Sequence, residues 1–246
     1  MNMLLTCVRM EWKKLRRSRL WLVMAAVPLL PAFMGTGNYL NNLGILKSEW
    51  YSLWTQLSLF YANFFYGPLI ALYCSYIWRV EHLNHNWNSL MTMPVPVRNV
   101  FLGKLFPALV CTFLLQGWMG VLLIVCGKYA GLSGMPSAQI LLWLLRGTAG
   151  GMVIASLQLL LSMVIRSFAA PIALALLGSV VGLFASNAGC GLLWPYSLML
   201  EGMNANRSED MVSSGADFAA GVLCFLLLFV TMGVLILKKR DVRTGG

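Results

Sequence analysis

Charge is the scarce commodity in this sequence. Only 11% of the 246 residues are charged, where a soluble domain carries about 25%. Acidic residues are rarer still, with 8 Asp and Glu against 18 Lys and Arg. That scarcity excludes a soluble globular enzyme and a disordered chain. The six cysteines form no C-x-x-C pair and fall mostly inside apolar runs, so neither a secreted disulfide scaffold nor a redox motif fits. Cys126 and Cys190 both fall near one surface, and a disulfide between them is one possibility. What the sequence does have is apolar residues, 59% of the total, with a mean hydropathy of +0.75. A membrane span takes about 20 apolar residues, so this length accommodates about six spans and leaves no room for a large soluble domain.

Hydrophobic runs place the spans at residues 20–40, 54–78, 105–125, 140–165, 169–186 and 218–237. The expected fold is an all-α polytopic membrane protein built as one transmembrane domain. It has an interfacial helix within 1–19, a six-span bundle over 20–237 and a basic tail over 238–246. Pro28 and Pro31 should kink the first span, since each removes a backbone donor. Before it, Leu4, Leu5, Val8, Trp12 and Leu15 recur at helical spacing, while Arg9, Lys13, Lys14, Arg16 and Arg17 lie mostly off that stripe. This pattern predicts a basic amphipathic helix along the membrane surface. Its cations equally serve to fix the orientation of the first span. With six spans, 14 Lys and Arg fall on the side of the termini and three (Lys47, Lys128, Arg207) on the other. The positive-inside rule then puts both termini in the cytoplasm. Clustering of the cations at span ends accounts for the net charge of +10 without nucleic acid.

Arg146 lies inside the fourth span. Snorkelling to the nearer interface is the simpler role; a contact to substrate or partner inside the bundle is the sharper one. The aromatic second span, with Phe60, Tyr61, Phe64 and Phe65, is a candidate lining for a substrate path, although aromatics in spans commonly serve packing. Gly147, Gly151 and Ala155 in the fourth span, and Gly178 and Gly182 in the fifth, are spaced for close helix contact. That contact lies within the bundle or at a second subunit.

Chemical motifs are incomplete. His82 and His85 beside Glu81 lack a third metal ligand in the sequence pattern. H-x-x-x-N over residues 82–86 has no paired glutamates to accompany it. Residues 131–134 read G-x-S-G, but a serine nucleophile needs a base within reach, and both histidines fall on the opposite side of the membrane from Ser133. A turn before Pro136 is the plainer account. Gly103-Lys104 and Gly127-Lys128 lack the rest of a phosphate-binding loop. Any ATP and Mg would therefore be bound by another chain.

The longest polar loop, residues 79–104, reads RVEHLNHNWNSLMTMPVPVRNVFLGK. Its first half predicts a short helix stopped by Pro94 and Pro96, followed by a separate turn through Arg98 to Lys104. One large aromatic on such a helix suits docking to a soluble partner, or rest in the aromatic belt. The order Glu81, Trp87, Leu90, Pro94, Arg98 and Gly103-Lys104 resembles the first cytoplasmic loop of type-2 ABC exporter permeases. The stretch Glu11-Trp12-Lys13-Lys14-Leu15-Arg16-Arg17-Ser18 is similar to their opening helix. Trp87-Asn88 stands where many relatives have Gly-Thr, which is similar to the branch that protects bacteria from lantibiotics and bacitracin-like peptides.

The resemblance implies an exporter permease that pairs with a second permease and sits on cytoplasmic ATPase subunits. Residues 81–104 then carry the coupling helix, with Glu81, Trp87, Leu90, Pro94, Arg98 and Lys104 as the residues that couple to the ATPase. It also implies a re-entrant outer segment, here 189–203 with Trp194-Pro195-Tyr196, for which a plain surface loop is the alternative. The expected substrate is an amphipathic antimicrobial peptide; other amphipathic lipids or drugs, a peptide sensor or scaffold, and an intramembrane protease are the competing functions.

Overall fold

A computed structural model describes residues 3–83, 86–207, 212 and 214–239. The described residues are helical throughout, with no strand, and six helical stretches are long and apolar enough to cross a membrane. The chain is thus a multi-pass membrane protein.

The amphipathic helix α1 (Met3–Arg16) leads into a first span split into α2 (Leu20–Ala26) and α3 (Leu29–Asn41). The break falls at Val27 and Pro28 only. Pro31 sits in the first turn of α3, where its missing N–H has no intrahelical partner to lose.

The second span is longer than its hydropathy suggests. It runs through α4 (Glu49–Phe60), a π-helical turn (Tyr61–Tyr66) and α5 (Gly67–His82). Pro68 has no N–H to offer the carbonyl four residues back, and the wide turn ends there. A short helix α6 (Asn86–Thr92) follows.

The third span corrects the sequence-based expectation. Helix α7 (Val97–Tyr129) begins directly after Pro96 and runs unbroken for 33 residues, so Arg98–Lys104 forms its first turns rather than a separate element. Charge at Lys104 does not end the helix because that charge is neutralised inside the protein, as described below.

Helices α8 (Ala138–Val164), α9 (Ala169–Asn187) and α11 (Gly215–Lys238) complete the spans. Ser214 caps α11 by accepting from the Asp217 N–H at 3.3 Å. Between α9 and α11 the chain makes a 3-10 turn (Gly191–Leu193) and a short helix α10 (Ser197–Gly202).

Helix α8 is central. It packs on α5, α7, α10 and α11, while α1 lies along α7. Trp54, Tyr61, Tyr66, Tyr73, Trp78 and Phe101 fill the interior. The turn before α8 has Gly131 and Gly134 at φ of 79° and 65°, a conformation that favours glycine. Its Ser133 carbonyl accepts from Trp50 Nε1 at 2.7 Å. The G-x-S-G pattern therefore has a structural cause. All six cysteines are free thiols, so Cys126 and Cys190 are not paired.

Candidate functional site

Glu11 occupies the stripe of α1 that faces α7, in line with Leu4, Val8 and Leu15 at helical spacing. Despite four cations on its own helix it is only 8% exposed. Its Oε1 accepts from Lys14 Nζ at 2.9 Å and from Lys104 Nζ at 3.0 Å. Glu81, at the end of α5, accepts from the same two ammonium groups at 2.7 and 2.8 Å. Two carboxylates and two ammoniums thus alternate in a closed clamp joining α1, α5 and α7. Lys104 is 1% exposed and Glu81 5%, so neither charge is solvated except by its partners, an arrangement that is costly to break. At Lys14, partial burial works against the charge, but the two carboxylates outweigh it and raise the pKa above the ordinary lysine value. The approach of α1 to α7 is close enough that a Cβ on Gly103 would lie 2.6 Å from Cys7 Cβ.

A stack of aromatic rings continues the clamp into α6. Lys104 Nζ lies 4.9 Å from the Trp78 ring centroid. Trp78 and Trp87 are 6.0 Å apart, and His82 stacks on Trp87 at 5.8 Å with 10° between planes. His82 Nε2 donates to the Ser162 carbonyl at 2.9 Å, tying the stack to α8. His85 lies outside the described residues. Trp87 is 3% exposed.

The residues singled out in the loop from sequence therefore divide. Glu81, Trp87 and Lys104 point inwards, with little exposed surface, and hold α6 to the bundle. Leu90 is half-buried, whereas Pro94 and Arg98 are exposed, together with Ser89, Thr92 and Met93. Lys13 and Arg16 on α1 and Arg17 just after it are exposed, and Trp12 meets Trp21 edge-on at 5.9 Å. Sequence reasoning missed Glu11. The available signal was a carboxylate on the apolar stripe.

The aromatics of the second span do not share a face. Tyr61 is buried and stacks on Tyr66 at 4.9 Å; Phe64 is exposed, and Phe60 and Phe65 are intermediate. The wide turn leaves the hydroxyls of Tyr61 and Tyr66 buried without a hydrogen-bond partner among the described residues. Arg146 belongs to another contact, where its backbone lies under Gly202 and its guanidinium reaches towards Gly215 at the start of α11.

The segment containing Trp194, Pro195 and Tyr196 enters the bundle, with α10 wholly buried. Trp194 Nε1 donates to the Gly178 carbonyl at 2.9 Å. The Tyr196 hydroxyl accepts from Gln158 Nε2 at 2.5 Å, and Trp54 Nε1 donates to the Met203 carbonyl at 2.9 Å. This burial rejects a plain surface loop. It also explains the small-residue stripes. A Cβ on Gly150 would lie 2.5 Å from Met199 N, and one on Gly178 2.5 Å from the Tyr196 ring. Gly147 and Gly182 face the same segment, and Gly151 faces Tyr66. The stripes thus serve packing within the chain.

No curated protein matches the sequence. The family described as ABC-2 family transporter protein matches over residues 7–182, a stretch that takes in most of α1, the clamp, α6 and most of α9. With this match over most of the chain, the protein belongs to the ABC-2 transporter family, as a permease that works with a cytoplasmic ABC ATPase.

Proposed function

We propose that this permease serves an ATP-driven exporter that removes amphipathic antimicrobial peptides, of lantibiotic or bacitracin type, from the bacterial membrane and so protects the cell. The observation that carries the transport reading is α6, fastened by the clamp and the ring stack to three spans. A permease without a phosphate-binding loop receives force through a stiff cytoplasmic element, and α6 has that stiffness. The partner ATPase binds the ATP and Mg, and a second permease completes the assembly. The peptide substrate rests on the resemblance of residues 9–19 and 79–104 to the lantibiotic immunity branch.

In this reading the ATPase touches the exposed edge of the loop, from Ser89 to Pro94, and Arg98, rather than Trp87. Charge placed at Met93, which is exposed, together with reversal at Arg98, is expected to weaken ATPase co-purification about tenfold or more, as loss of an interface anchor does. The Met93→Asp/Arg98→Glu protein should melt at the wild-type temperature, because neither side chain packs in the bundle. Wild-type co-purification together with full peptide protection would sink the docking assignment. Trp87→Ala acts differently. It removes a buried ring, costing about 3 kcal/mol, so the loop should become protease-sensitive and ATPase association should fall with it. A loop equally resistant to protease in this variant would contradict the anchoring role.

The cation distribution supports cytoplasmic termini. Cys190 is exposed in the loop before α10, so a membrane-impermeant maleimide should label it in intact cells. Labelling of Cys190 only after permeabilisation would reverse the orientation.

A further inference from the structure

A cleft of about 310 Å³ lies between the first turns of α7 and the last turns of α11, lined by Arg98, Leu102, Val230, Thr231, Val234 and Leu235. The two helices meet beside it, where a Cβ on Gly233 would lie 2.2 Å from the Phe101 ring. That contact sets their register. Arg98 stands three residues from Phe101 and Lys238 five residues from Gly233, both on the side of the chain termini. The two cations therefore lie within about 3 Å of one another in depth. Lys238 also follows Val234 by four residues and Leu235 by three, which puts it on the face of α11 that lines the cleft. Arg98, Lys238 and Lys239 are all exposed.

These charges are unbalanced among the described residues. Glu11 and Glu81, the buried carboxylates on this side, are taken by Lys14 and Lys104, and Arg98 has no ion pair. One hydroxyl below the cations is unmet as well. Thr36, Thr55, Thr112 and Thr148 each donate to a carbonyl of their own helix. Thr231, exposed in the cleft, makes no such bond among the described residues. It lies about 8 Å deeper than Arg98, inside the apolar layer, where an unsatisfied hydroxyl is costly.

We infer that this cleft binds an anionic phospholipid of the leaflet on the side of the termini. Its phosphate accepts from the Arg98 guanidinium and the Lys238 ammonium, and an ester carbonyl accepts from the Thr231 hydroxyl. An acyl chain lies on Leu102, Val230 and Leu235. Basic clefts between spans select such headgroups, and guanidinium–phosphate bonds are charge-assisted. A soluble phosphate leaves the apolar wall bare, and a lipid without net charge leaves the cations unbalanced. The bound lipid joins α7 to α11, the most exposed of the six spans.

The inference goes beyond the exporter reading and does not depend on its substrate. Val100, two residues after Arg98, turns to the opposite face of α7, beside α1 and α6. A guanidinium has five donors, so a phosphate on the α11 side leaves Arg98 others for the ATPase edge.

The test uses the purified full-length permease, without ATPase, in phosphatidylcholine nanodiscs. The probe is phosphatidylglycerol with a diazirine high on one acyl chain, and the comparison probe is phosphatidylcholine with the same diazirine. At equal content, phosphatidylglycerol is expected to label residues 97–102 and 230–239 about fivefold more. Arg98→Gln should lower its labelling about tenfold, the loss of a charged hydrogen bond, and Thr231→Val about threefold.

Equal labelling by the two lipids, unchanged in Arg98→Gln, overturns the site, because the cleft then holds whatever lipid adjoins it. Soluble glycerol phosphate that displaces the probe as well as unlabelled phosphatidylglycerol does overturns it too, because the ligand is then a free anion. If Arg98→Gln does not fold, the Lys238→Gln/Lys239→Gln protein, altered at the exposed end of α11, carries the test. A loss of labelling in it supports the site, and unchanged labelling overturns it.

Discussion

Replacing Lys104 with methionine is expected to be among the most damaging single changes in this protein. The side chain is 1% exposed, and its Nζ bonds Glu11 at 3.0 Å and Glu81 at 2.8 Å. Methionine fits the volume but removes the charge, leaving two largely buried carboxylates with Lys14 as their remaining cation. Stranding buried charge costs about 3–5 kcal/mol. Part of that is recovered if Lys14 moves inwards, so a loss near 3 kcal/mol is the expected figure. Lys14→Met should cost about 1 kcal/mol or less, because that ammonium is a third exposed and solvent screens it. Glu11→Gln combined with Lys104→Met should be milder than the sum of the two, since each removes a charge that the other strands. Thermal melting in detergent reads the stability. Protease sensitivity of α1 reads where it is lost. A Lys104→Met protein with wild-type melting and a protected α1 would show that the clamp does not hold the helix.

This clamp marks the limit of what the sequence makes legible. The six spans could be read because an apolar run of about 20 residues has few alternatives. Span ends near the loop could not. Glu81, Arg98 and Lys104 resemble the polar boundary of a membrane segment, and hydropathy ends the second span near Trp78 and starts the third near Leu105. In the fold, Glu81 and Lys104 neutralise each other, so the helices continue through them. Glu11 was hidden in a different way. Among five neighbouring cations it looks like a solvated residue relieving repulsion, and only its register with Leu4, Val8 and Leu15 places it on the inner face. Pairing across 93 residues, from Glu11 to Lys104, leaves no local trace at all.

The loop illustrates the same division between residue type and location. Trp87 has the chemistry of an interface anchor, and the sequence correctly marks it as unusual on a polar stretch. Its ring is satisfied inside the chain by Trp78 and His82. A side chain that stiffens the loop and one that touches the partner are equally conspicuous in sequence; burial separates them. Force arriving at Met93 would pass through α6 to the ring stack and from there through Lys104 to α1 and α7, while force at Arg98 would enter α7 directly. The glycines behave likewise. Their spacing announces close approach, but what approaches is α10, a six-residue helix that helical periodicity alone would not reveal.

That approach gives the second large expected effect. Gly150→Leu should prevent α10 from seating. A Cβ at this position would stand 2.5 Å from Met199 N and 2.6 Å from the Leu198 carbonyl carbon. Both are backbone atoms of a buried helix, so no side-chain rotation relieves the overlap. Overpacking costs typically about 1–3 kcal/mol, and the upper end applies because α10 must move as a unit. Helix propensity works the other way, since glycine is worse than leucine by under about 1 kcal/mol, and cannot compensate. Displacement of α10 would also break the bond from Trp54 to the Met203 carbonyl and that from Gln158 to Tyr196. The variant should therefore melt earlier, expose the segment around Trp194 to protease, and lose transport activity. Gly117→Ala is the matched control, because its Cβ meets nothing; it should be neutral or stabilise slightly, by about 0.5–1 kcal/mol. If Gly150→Leu melts with the wild type while Trp194 stays protected, α10 is not held against α8 in the membrane, and the packing role of the glycine stripe falls with it.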